Sequence, residues 1–209
     1  MKTPCVKTTC TKTRFLMVRH ATCAHIEDTL LGRALDAPLD ARGERQAQAL
    51  AARLRREAPL RVECSPRRRT LQTAAAIAQH ARCDVRVAPA LDEMDFGRWA
   101  GLTFAQLEGD GDWQRWNEHR DLARTPAGVG IRTLQRSVNR YLAALAETCA
   151  GATLVLVTHA EIIRSLVLHC LAAPANDYTR FAIDPASVTR FSVDAEGVHV
   201  DAINQPALP

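Results

Sequence analysis

The sequence predicts an α/β protein, a three-layer α/β/α sandwich around a mostly parallel central sheet. Two apolar runs, Phe15-Leu16-Met17-Val18 and Leu154-Val155-Leu156-Val157, are continuous rather than alternating, as expected of strands covered on both faces. Segments with apolar residues at helical spacing separate these runs from the other strand candidates, which is the alternation that joins parallel strands through crossover helices. A length of 209 residues suits one well-filled core. No internal repeat, low-complexity tract or interior linker divides it.

Residues 1–13 stand apart. All three lysines of the chain, Lys2, Lys7 and Lys12, lie there, in a Thr-rich stretch with no acidic residue and no apolar core of a secretory signal. A disordered extension is expected, followed by a domain over 14–209. The first strand runs into Arg19-His20, and a long loop from Cys23 to Leu39 follows; loops of that length in compact domains are often functional. Asp40 is a suitable N-cap for a helix reaching Arg56, with Ala47, Leu50, Ala51 and Leu54 on one face. Arg61 to Cys64 reads as a short strand, closed by Ser65-Pro66, with Pro66 in the first turn of a helix that ends near Ala81.

Val85-Arg86-Val87 is a further short strand, and Leu91 to Gly97 a loop rich in carboxylates. Residues 102–126 form an excursion of short helical pieces anchored by Trp113 and Trp116. Ile131, Leu134, Val138, Leu142 and Leu145 repeat with helical period. The strand from Thr153 to Val157 runs into Thr158-His159-Ala160, and Ile162, Ile163, Leu166, Val167 and Cys170 continue as a helix. Two alternating strands, Ser187 to Val193 and Val198 to Ile203, close the chain around a turn at Glu196-Gly197.

Composition excludes several classes. With 47% hydrophobic and 24% charged residues the chain is an ordinary soluble domain, and no apolar run reaches the roughly 18–20 residues of a membrane span. A net charge of +4 is too mild to argue for nucleic acid, yet it is compatible with a small anionic substrate. The seven cysteines are odd in number and scattered, with no Cys-x-x-Cys pair, so neither a disulfide framework nor a zinc cage is expected. The expectation is a reduced, cytoplasmic protein in which Cys23 is buried filler.

Three strand-to-helix junctions carry chemistry: Arg19-His20, Ser65 to Arg69, and Thr158-His159, with a carboxylate loop around Glu93 between the second and third. In open α/β sheets ligands gather outside the carboxyl ends of the strands. Two arginines and two histidines meeting there would make a pocket for a dianion, since guanidinium forks match phosphate oxygens. One histidine can attack phosphorus and hold the phosphoryl group covalently, and a carboxylic acid of raised pKa can protonate the leaving oxygen. For Arg19-His20 taken alone, a histidine bonded to a neighbouring carbonyl beside a solvated arginine is an equally good reading.

Four segments occur together in order: Arg19-His20-Ala21, Cys64-Ser65-Pro66-Arg67-Arg68-Arg69-Thr70-Leu71-Gln72-Thr73-Ala74, Leu91-Asp92-Glu93-Met94-Asp95-Phe96-Gly97 and Thr158-His159-Ala160. In these the chain resembles the histidine phosphatases of the phosphoglycerate mutase-like superfamily, over nearly everything from Arg14 onward. The resemblance implies a phosphoglycerate mutase-like fold and His20 as the nucleophile that becomes phosphohistidine. It also implies a phosphoryl clamp of Arg19, Arg69 and His159, and Glu93 as proton donor and then base for water. Asp92 and Asp95 compete with Glu93 for that role. Thr22, Gly32 and Ala160 are candidate lining of the substrate pocket. Arg67 and Arg68 are read as solvated charges at a helix start, and His25, His80, His119, His169 and His199 as structural or surface residues.

The chain departs from the family pattern at Ala21, and at Ala160 and Glu161, where glycines are usual; Glu161 would put a negative charge near an anion site unless it points away. The expected activity is a metal-independent phosphomonoesterase acting on a small phosphorylated metabolite, similar to the branch with α-ribazole-phosphate and broad-specificity phosphatases. No cofactor, metal, nucleic acid or membrane partner is expected, and monomer and homodimer stay equally open. The alternatives are phosphoglycerate mutase-type transfer and a weakly catalytic phospho-ligand-binding signalling protein. The modest excursion over 102–126 favours hydrolysis, because it leaves the pocket open to water.

Overall fold

A computed structural model describes residues 12–207. The expectation for residues 1–13 falls almost wholly outside them; Thr13 opens the first strand. Strands β1 (Thr13–Arg19), β2 (Arg61–Cys64), β3 (Val85–Val87), β4 (Thr153–Thr158), β5 (Val188–Asp194) and β6 (Gly197–Gln205) alternate with helices α1 (Ala41–Leu54), α2 (Arg68–Ala81), α3 (Phe104–Glu108), α4 (Gly111–Glu118), α5 (Ile131–Thr148) and α6 (Ala160–Cys170). The sheet order is β3-β2-β4-β1-β5-β6. The first four are parallel to their neighbours, and the β5–β6 hairpin adds antiparallel to the β1 edge.

Alternate residues of the central strands feed two cores. Phe15, Met17, Leu154 and Leu156 pack with α5 and α6, while Leu16, Val18, Val155 and Val157 pack with α1 and α2. Both faces of β1 and β4 are therefore dry, which is why their sequences run apolar without alternation. β3 is exposed along its length and forms the sheet edge. The excursion resolves into α3, opened by a capping box between Thr103 and Gln106, and α4, capped by Asp110. Trp116 is buried and Trp113 packs against the same core.

Register brings the ends of three strands level. Arg19 faces Thr158, and Cys64 faces Val157. The residues that follow, His20, Ser65 and His159, thus emerge side by side from the carboxyl edge of the sheet.

Gly43 in α1 holds this edge together in a way the sequence reading did not foresee. A Cβ there would lie 1.8 Å from the Thr22 carbonyl oxygen, so α1 approaches the post-β1 loop at main-chain distance. Gly43→Ala is expected to cost about 2–3 kcal/mol through overpacking, a fall in Tm of roughly 5–10 °C for a chain of this size. Thermal melting checks this, and an unchanged Tm would contradict it.

Candidate active site

His20 is the first residue beyond β1 and only 4% exposed. Its Nδ1 lies 2.9 Å from the Ala21 carbonyl. A carbonyl can only accept, so Nδ1 carries the proton and Nε2 keeps a free lone pair. Burial, then the charges of Arg69 and Arg19, hold its pKa well below the ordinary value. The imidazole is therefore a neutral base at physiological pH. Ala21 stands where a glycine is usual, and it is wholly buried, with its N–H donated to Thr73 Oγ1 at 3.1 Å and its carbonyl fixing His20.

The two arginines flank this imidazole. Arg69 is 1% exposed and is anchored by N–H groups donated to the carbonyls of Leu35 (3.2 Å) and Gly32 (2.9 Å) and to His159 Nδ1 (3.3 Å). Arg19 donates to the Ile183 carbonyl at 2.6 Å. The Nε of each arginine is buried with no acceptor among the described residues. An unpaired buried donor costs about 1–3 kcal/mol, a cost that an oxyanion would remove.

His159 is fully buried at the start of α6, with its ring centroid 5.3 Å from that of His20. Arg69 donates to its Nδ1, so the proton resides on Nε2, which lies 2.8 Å from Ser65 Oγ. Ser65 in turn lies 3.2 Å from Asp92 Oδ1. Burial, then His20 and Arg69, lower the His159 pKa well below its ordinary value, so His159 is also neutral.

Glu93 completes the group. Its Oε1 accepts the Met94 N–H at 2.9 Å and its Oε2 lies 3.4 Å from His159 Nδ1. Burial pushes its pKa up to about 7, against the pull of Arg69 and the Met94 N–H and with added repulsion from Glu161. A carboxyl poised there can give or take a proton near neutral pH. The competing acids are otherwise engaged. Asp92 accepts two bonds from Arg67, at 2.8 and 2.7 Å, and the Glu93 N–H at 2.8 Å. Asp95 accepts the Gly97 N–H at 3.0 Å.

Arg19, His20, Arg69 and Glu93 line one cavity of about 310 Å³, together with Gly32 and Ala160, while His159 is not part of its lining and touches it through Arg69. Of the candidate lining residues, Gly32 and Ala160 stand in its wall. Thr22 does not line it: its hydroxyl and its N–H are both spent on Gln46 Oε1, at 2.7 and 2.9 Å, tying the loop to α1. Arg67 also departs from its expectation as a solvated charge, being held by Asp92, whereas Arg68 is exposed. Cys23 is buried and its thiol is pushed up to about 11 by that burial, consistent with filler. None of the five remaining histidines lines the cavity.

Sequence reasoning missed the supporting partners. Thr73 and Gln72, from the motif on α2, bond Ala21 and the Leu39 N–H respectively. Asp92 orders Ser65, Arg67 and Glu93 at once. Asp92→Asn is expected to lower kcat about 10–100-fold by loosening that geometry, measured beside thermal melting; an unaltered kcat would contradict the positioning role. Among the described residues, Asp194, Glu196 and His199 in the β5–β6 hairpin place three possible metal-ligand atoms within 4.8 Å of one another. The cavity instead sets His20 among arginines, a set suited to an oxyanion.

The histidine phosphatase superfamily (branch 1) model matches residues 15–206. The adenosylcobalamin/alpha-ribazole phosphatase of Escherichia coli is 26% identical over 198 residues, covering 93% of this chain and 97% of that protein. Phosphoserine phosphatase 1 of Hydrogenobacter thermophilus is 28% identical over 179 residues, with 83% of each chain covered. Among solved structures, a mycobacterial glucosyl-3-phosphoglycerate phosphatase superposes with a TM-score of 0.82 at 27% identity, covering 93% of this chain and 99% of that one.

Proposed function

The chain belongs to the histidine phosphatase superfamily, and from that premise we propose that it is a metal-independent phosphomonoesterase working through phosphohistidine at His20. The observation that carries this reading is the neutral His20 imidazole, its Nε2 free, in one cavity with Arg19, Arg69 and a carboxyl of pKa about 7.

In the first step the Nε2 lone pair forms a bond to phosphorus. The bond from phosphorus to the ester oxygen breaks, its electron pair goes to that oxygen, and the Glu93 carboxyl supplies the proton. Arg19 and Arg69 hold the equatorial oxygens, whose charge is spread in a loose transition state, while His159, whose one N–H goes to Ser65, orients the Arg69 guanidinium through Nδ1. In the second step the Glu93 carboxylate takes a proton from water, the water oxygen bonds to phosphorus, and the electron pair of the P–N bond returns to Nε2. Phosphate leaves and both groups regain their starting states.

Hydrolysis rather than transfer is favoured by the covering segment, which consists of two short helices, α3 and α4, beside an open-sided cavity. The relatives named above are phosphatases of small phosphorylated metabolites, and no helix among the described residues is long and apolar enough to cross a membrane. The test is hydrolysis of p-nitrophenyl phosphate with EDTA present. Full activity is expected; activity lost on chelation and restored by a divalent metal would contradict the mechanism.

A further inference from the structure

The outer wall of the same cavity limits what the leaving alcohol can be, an inference that rests on the phosphomonoesterase reading. Arg120, in the loop after α4, is 4% exposed. It donates from Nη1 to Glu161 Oε2 at 2.7 Å and from Nη2 to Asn117 Oδ1 at 3.1 Å. Its guanidinium stacks 3.4 Å from the centroid of the Tyr178 ring and 5.0 Å from that of Trp116. Arg164, three residues after Glu161 on α6, donates from Nη1 to Glu161 Oε1 at 3.3 Å. The two oxygens of one carboxylate are thus divided between two guanidiniums, and all three side chains line the cavity with His20.

Two adjacent arginines facing a substrate pocket would, left to themselves, receive a second carboxylate or phosphate in forked hydrogen bonds. Glu161 fills that position from within the chain. A second anion on a substrate would have to displace a tethered carboxylate, whose effective concentration is high, while meeting its like charge. The reach of this charge to the reaction centre is visible in Glu93, whose pKa Glu161 helps to raise. Around the clamp the wall carries the apolar and aromatic side chains of Leu30, Phe96, Phe104 and Trp113 alongside Thr29 and Asn117. A volume of about 310 Å³ sits at the small end of small-molecule sites.

We infer that Glu161 is a specificity-determining residue: an internal carboxylate that occupies the outer anion site, so that the enzyme takes small phosphate monoesters whose alcohol carries no second anion and presents an apolar, flat face. The residue that departs from the family glycine is, on this view, pointed at the substrate rather than away from it, with its charge matched by Arg120 and Arg164.

The test compares phenyl phosphate with 4-carboxyphenyl phosphate, which differ by one carboxylate, in the wild type and in Glu161→Gln and Glu161→Asp. In the wild type kcat/KM for phenyl phosphate is expected to exceed that for the carboxylated ester by about tenfold or more. In Glu161→Gln, with both guanidiniums released, that ratio is expected to fall about tenfold, whereas Glu161→Asp retains the charge and stays nearer the wild type. The ratio is taken within each protein, so any general loss of activity cancels. A wild type that prefers the carboxylated ester, or a ratio unmoved in Glu161→Gln, overturns the inference and leaves the phosphatase reading standing. Hydrolysis of neither ester by the wild type overturns the phosphatase reading itself. If Glu161→Gln fails to fold, the wild-type ratio decides alone.

Discussion

His20→Ala is expected to lower kcat on p-nitrophenyl phosphate by at least about 10,000-fold, the scale on which loss of a nucleophile acts. The imidazole presents a free lone pair to the cavity without a proton to lose first, because Ala21 takes the Nδ1–H and burial keeps the ring neutral. His159 cannot replace it: Arg69 occupies its Nδ1 and Ser65 its Nε2. The anion-binding side chains stay in place in the variant, so competition by inorganic phosphate should survive within several-fold. Rate and product inhibition should therefore separate. A variant with wild-type turnover would remove His20 from the chemistry, and one that loses phosphate binding and fold together would show a structural role instead.

Glu93→Gln carries the second large effect. Loss of a positioned acid typically costs 100–10,000-fold, and the full cost is expected on an alkyl phosphate, whose alkoxide leaves poorly without a proton. On p-nitrophenyl phosphate the loss should be much smaller, since nitrophenolate departs unprotonated. The pH dependence follows with a definite sign. Glu93 must be protonated for the first step, so wild-type turnover of the alkyl ester should fall as pH rises through about 7. His20 must be unprotonated, and its pKa lies well below 6.5, so the rising limb lies on the acid side of that value. Glu93→Gln should erase the alkaline fall and keep the acid limb. An alkaline limb that persists unchanged in Glu93→Gln would assign the acid elsewhere.

Much of the fold and the centre of the site was legible in the sequence, for a physical reason. Strands buried on both faces must be apolar throughout, so β1 and β4 announce themselves as continuous runs, and the polar residues that interrupt them mark the sheet edge where ligands collect. Arg69 needed its motif, because a helix beginning with three arginines gives no local sign of which one turns inward. The structure makes the difference physical: Arg69 faces the core of the site, Arg67 is drawn sideways to Asp92, and Arg68 is left in solvent.

What stayed hidden depends on contacts between distant residues. Thr22 follows the motif closely and was expected in the pocket, but Gln46, 24 residues on, claims its hydroxyl. The close approach behind Gly43 is set by how α1 crosses the loop after β1, which no periodicity encodes. Glu161 reads as a misplaced charge until Arg120, 41 residues earlier and in the weakly patterned excursion, is found against it. In each case the hidden partner is a polar group from elsewhere in the chain, a side chain for Thr22 and Glu161 and a main-chain carbonyl for Gly43, and hydrophobic patterning carries no signal of it.

The central claim is a covalent bond between phosphorus and His20, and the direct measurement is to trap it. Wild-type protein mixed with labelled phosphate ester, quenched in alkali during turnover and digested, should carry one acid-labile, alkali-stable phosphate on the peptide containing His20, and His20→Ala should carry none. Steady turnover with no label on that peptide, or label that maps to another residue, would contradict it.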